Sequence, residues 1–98
     1  MSRWQRIRQA WQRLLDQREI DAPFTYPCYL QTETWKQTRA LYRLLYPVRH
    51  PRPDFHHLTY ANLGREIELD ADMRVVRCDI EPLSQREHRM IHRSKRYG

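Results

Sequence analysis

Three prolines within seven residues, Pro47, Pro51 and Pro53, divide this chain more firmly than any other feature. Proline has no backbone N–H and pushes the residue before it out of the helical region. The stretch Pro-Val-Arg-His-Pro-Arg-Pro therefore forms an extended or turning link, with helical spacing before it and short strand-like runs after it. The fold class that follows is α+β, as a single domain over 1–98 with a helical N-terminal part over 1–46. A chain of 98 residues supports one modest core. Only two glycines occur, so long flexible linkers are not expected.

Residues 3–19 read as an amphipathic helix, with Trp4, Ile7, Trp11, Leu14 and Leu15 in one stripe. The tryptophans are expected in the core. Arg3, Arg6, Arg8, Gln12 and Arg13 cover much of the rest, either touching phosphates or simply solvated. Pro23 and Pro27 interrupt regular structure over 21–31, where Phe24, Tyr26, Tyr29 and Leu30 fix a loop against the core. A second helix starts near Thr34, where Thr34 to Gln37 fits a T-x-x-Q capping box, and ends before Pro47. Its apolar side includes Trp35, Leu41, Leu44 and Leu45.

Beyond the link, residues 55–61 look like a strand, Asn62-Leu-Gly64 like a turn, and 73–78 like a second strand that Pro82 stops. Tyr60 is expected in the core. Ser84-Gln-Arg-Glu87 is a capping box for a last helix over about 85–95.

Net charge is +6, and arginine supplies sixteen of the eighteen basic residues. Arginine grips phosphate through a bidentate fork, so a basic excess along the whole chain points to nucleic acid. Cys28 and Cys78 form no C-x-x-C pair. No apolar run approaches membrane-spanning length, and the start lacks a signal-peptide core. The acid-free, Arg-rich residues 1–15 mildly resemble a mitochondrial presequence, but the expected location is cytoplasmic, with no membrane partner.

Four of the five histidines lie in two pairs, His56-His57 and His88/His92. On a helix, His88 and His92 at i,i+4 share a face. Histidine is the commonest metal ligand and titrates nearest neutral pH. His50, between Arg49 and Arg52, reads as a surface residue. A metal-dependent hydrolase is the sharpest reading, against the plainer one in which His56 and His57 alternate between core and solvent.

At this point the chain resembles the HNH endonucleases, the His-Me finger family. The residues that carry the resemblance are 29–39, then His56-His-Leu-Thr-Tyr-Ala-Asn-Leu-Gly-Arg-Glu66, then Asp72-Met-Arg-Val-Val76, then His88-Arg-Met-Ile-His92-Arg93. Together they span roughly 29–93, and the His-His block is the most specific. The resemblance implies a ββα-metal finger over 54–96 in a small phage or bacterial protein that cuts DNA. It implies His57 as general base and Asp72 as the residue that orients it or binds metal. His56, His88 and His92 are the implied metal ligands, holding one divalent ion (Mg, Mn, Ni or Zn). Arg74, Arg77, Arg89, Arg93 and Arg96 are the expected nucleic-acid contacts. Glu66 and Glu68 are read as solvated at a strand edge rather than as metal neighbours.

The chain departs from the family in two ways. Relatives often carry two C-x-x-C zinc knuckles, where this chain has only Cys78, and Asp79-Ile-Glu-Pro-Leu is inserted before the last helix. Both departures favour an alternative, a catalytically silent descendant that binds nucleic acid or a protein. A third reading rests on Leu41-Tyr42-Arg43, which is similar to the tripeptide of the L-Y-R mitochondrial assembly proteins. The strands after residue 55 do not suit that all-helical fold.

Overall fold

A computed structural model of the chain describes residues 1–46, 53–84, 86, 87, 89 and 90. The architecture is α+β, with helices followed by two small antiparallel sheets. Helix α1 spans Arg3–Asp21, α2 Tyr26–Tyr29 and α3 Glu33–Leu45. Strands β1 (Asp54–His57), β2 (Ile67–Leu69), β3 (Val75–Cys78) and β4 (Ile80–Leu83) follow.

Ser2 and Gln5 form a reciprocal capping box that opens α1. Tyr26–Tyr29 is helical where the sequence suggests only a loop, and α3 starts otherwise than expected. Pro27 sits in the first turn of α2, where a missing N–H costs nothing. Thr32, not Thr34, caps α3 by accepting from the Trp35 N–H. Thr34 is buried and donates both its backbone N–H and its hydroxyl to Asp21 Oδ2, at 2.9 and 2.6 Å. That carboxylate stands at the positive end of α3. At the other end, the Arg3 guanidinium donates to the Leu44 and Leu45 carbonyls. The two helices are thus an antiparallel pair, pinned at each end by a charge of the sign that the dipole of α3 favours. Ile7, Trp11 and Leu14 are buried, but Trp4 is 59% exposed. The apolar stripe of α1 outruns its neighbour, whose last carbonyls are already met by Arg3.

In the second half β1 pairs with β4 and β2 with β3. The first strand ends at His57, short of the anticipated 61, and β2 and β4 were not anticipated at all. Three- and four-residue strands carry too little alternation to be seen. Pro82 lies inside β4, opposite Phe55, rather than ending a strand. A two-stranded sheet leaves each strand an open edge, where proline is tolerated. Trp35 and Tyr42 of α3 pack edge-on against Phe55 at 6.3 and 5.3 Å, joining the helices to β1. The core runs from Ile7, Trp11 and Leu14 through Tyr29, Trp35 and Leu41 to Phe55, Ile67, Leu69 and Ile80. After β4, Ser84 accepts from the Glu87 N–H, and residues 86, 87, 89 and 90 are helical.

Candidate functional site

The site is built on the end of β1. Register places His57 opposite Ile80 and His56 opposite Glu81. Asp79, between β3 and β4, ties this strand end to the start of β2. Its backbone N–H donates to the Glu66 carbonyl at 2.8 Å, and its carbonyl accepts from Leu58 N at 2.7 Å. These two bonds bring Glu66 beside His57, nine residues away in sequence.

His57 Nε2 lies 2.9 Å from Glu66 Oε2. The other carboxylate oxygen, Oε1, accepts from the Tyr29 hydroxyl at 2.9 Å. Both partners of the His57–Glu66 pair are enclosed, with side chains 2% and 0% exposed. A buried charge without partners is strongly disfavoured, and here both oxygens are engaged. Burial, and then the charge of Glu66, push the Tyr29 hydroxyl far above the ordinary tyrosine range, so it stays a donor. With the carboxylate as acceptor, Nε2 carries a hydrogen, and Nδ1 is the ring atom left to accept a proton.

Aromatic rings surround the imidazole. Trp35 stacks on it at 4.7 Å and 30°. Tyr26 meets it edge-on at 5.8 Å, and Tyr60 lies 5.7 Å away. Tyr26 and Tyr60 pack on each other at 4.4 Å and form the outer wall, 37% and 51% exposed. Burial pushes the Tyr26 hydroxyl up, with its hydrogen bond to Tyr60 acting in the same direction. Tyr60 is therefore not core, because the chain leaves the strand at His57 before strand alternation can turn Tyr60 inward.

The turn at 61–64 supports this arrangement. Gly64 has φ +84°, and the Phe24 ring occupies the space a β-carbon would need. Phe24 in turn packs edge-on against Tyr29 at 5.0 Å. Asn62 donates to Asp79 Oδ2 at 2.9 Å.

The residues singled out from the sequence separate in space. The hydrogen bond of His57 goes to Glu66, not to Asp72. Asp72 is exposed in the turn after β2, where Asp70 accepts its backbone N–H. The whole of β2 separates it from Glu66, at ~3.3 Å per residue. Glu66 is 1% exposed, which corrects its reading as solvated, and Glu68 pairs with Arg18 at 3.0 Å. Its position just before a short strand hid this, since nothing local distinguishes an inward glutamate there. His56 is buried at 6% exposure. His88 and His92 lie outside the described residues, as do His50, Arg93 and Arg96. Among the described residues no group of three or more His, Cys, Asp or Glu could hold a metal ion. Arg77 is engaged by Asp79 at 3.3 Å and by the Arg65 carbonyl, while Arg74 and Arg89 are exposed.

No family model matches the chain, and comparison with curated proteins and with solved structures finds no match. No helix among the described residues is long and apolar enough to cross a membrane.

Proposed function

We propose that this protein is a metal-dependent endonuclease of the HNH type, acting on DNA phosphodiester bonds. The observation that carries the reading is His57 bonded through Nε2 to a buried carboxylate, on a strand paired with the one that leads into the C-terminal helical turn. A base held by a third group is the arrangement that proton abstraction needs. Glu66 fixes the ring and its tautomer, and Tyr29 fixes Glu66. Nδ1 is then the atom that takes a proton from the attacking water.

The β1–β4 pair, with the β2–β3 hairpin between its strands and a helical turn after it, supports reading this half as a ββα finger. The imidazoles of His56, His88 and His92 suit a borderline divalent ion and would hold it. Such an ion supplies Lewis-acid stabilisation of phosphoryl charge. A cytoplasmic location belongs to the same proposal.

One observation favours a second reading. The His57 side chain is 2% exposed behind the Tyr26–Tyr60 wall. In a silent, HNH-derived binding module the Tyr29–Glu66–His57 set would serve only to hold the fold.

Plasmid nicking with Mg²⁺, Mn²⁺, Ni²⁺ or Zn²⁺, against EDTA, separates the two readings. Metal-dependent cutting that His57→Ala abolishes supports the nuclease. DNA retention without cutting under any of the four metals overturns it in favour of the binding module.

A further inference from the structure

A groove of about 420 Å³ lies between α1 and α3, remote in sequence from the histidine site. Arg6 and Arg13 line it from α1, with Gln9 between them, and Arg43 lines it from α3. The small side chains of Ala10 and Ala40 leave it open. Arg6 and Arg13 are seven residues apart, so they share one helix face about 10 Å apart along the axis.

Some other arginines are already committed. Arg3 holds the end of α3, Arg18 pairs with Glu68, and Arg77 with Asp79. The three groove arginines line one groove, and among the described residues none of them has a carboxylate within ion-pair distance. The Arg43 guanidinium rests over the Phe55 ring at 5.4 Å, and its edge stays available to donate. Three like charges converging on a concave surface repel one another, and an anion with several negative groups in a row relieves that repulsion. Arginine forks match phosphate oxygens in pairs. No aromatic side chain lines the groove, so it offers no platform for stacked bases.

We infer that the α1–α3 groove binds the phosphodiester backbone of nucleic acid through Arg6, Arg13 and Arg43, without reading its sequence. The inference rests on the nucleic-acid part of the reading above and not on cleavage. Contacts of this kind position a duplex and leave specificity to other surfaces.

The test is fluorescence anisotropy of a short labelled DNA duplex at several salt concentrations. The proteins are the full chain, the triple variant R6Q/R13Q/R43Q, single variants R6Q and R13Q, and R8Q as a control outside the groove. Circular dichroism melts show that each is folded. The triple variant is expected to bind more weakly and to lower the slope of log affinity against log salt by about 3, each single variant by about 1. R8Q is expected to leave the slope unchanged, and duplexes of different sequence to bind alike. No duplex binding by the full chain, an unchanged slope in the triple variant, or an equal loss in R8Q overturns the inference. His57→Ala measured alongside keeps the two claims apart, because binding retained with cutting lost leaves the groove standing.

Discussion

At the scale of single residues, the account turns on three side chains that sequence spacing does not join. Tyr29, His57 and Glu66 come from a short helix, a strand end and a turn, and they meet through two hydrogen bonds of 2.9 Å. Tyr29→Phe would leave Glu66 Oε1 buried without its donor, and a denaturant melt should read a loss of about 1–3 kcal/mol. A change within error would show that water replaces the hydroxyl. Glu66→Gln keeps the shape but alters which atom of the His57 ring holds a hydrogen. It should lower any cutting rate by roughly 10–100-fold with only a modest change in melting temperature. An unaltered rate would remove Glu66 from the mechanism. His57 was legible in the sequence through the His-His block. Glu66 was not, because a glutamate before a three-residue strand looks like any solvated acid until the Asp79 backbone draws it inward.

At the scale of elements, the helices were legible and the sheets mostly were not. The apolar spacing of α1 and α3 marked both, although the cap of α3 was misplaced and the short α2 lies in a stretch that reads as a loop. Thr32 rather than Thr34 starts α3, since Thr34 is taken by Asp21. Thr32→Ala should cost about 1 kcal/mol of stability by thermal melt, and a negligible effect would argue against this cap. The Thr34 hydroxyl, as the largest influence, holds the Asp21 carboxyl below its ordinary value of 3.8. Its contribution is present above that pH and is lost as the solution is acidified below it. The turn before β2 carries a sharper prediction. Gly64→Ala would set a β-carbon into the Phe24 ring at a left-handed backbone position. A destabilisation of at least ~1 kcal/mol is expected, together with loosening of Tyr29 behind Phe24. A neutral substitution would mean that Phe24 does not press on this turn.

At the scale of the whole molecule, buried hydroxyl and thiol groups set the alkaline limit of the fold. Burial pushes Cys78 above its ordinary 9.0 and Tyr29 above 10.0, and Tyr42 and Tyr46 move in the same direction. A raised value means that the folded state holds its proton more tightly than the unfolded chain. Stability should therefore be full below about pH 9 and fall as pH rises beyond it. Tyr29→Phe should make that decline shallower above pH 10, as read by urea unfolding at stepped pH. A parallel decline would place the alkaline sensitivity elsewhere. The central claim is that His57, held by Glu66, moves the proton in phosphodiester cleavage. Its most direct test is plasmid nicking in Mg²⁺, Mn²⁺, Ni²⁺ or Zn²⁺ by the full chain and by folded His57→Ala, each with and without added imidazole. The account predicts cutting by the full chain, a loss of about 10²-fold or more in the variant, and partial recovery with imidazole. Cutting by the variant at the full rate, or no cutting by the full chain in any metal, would contradict it.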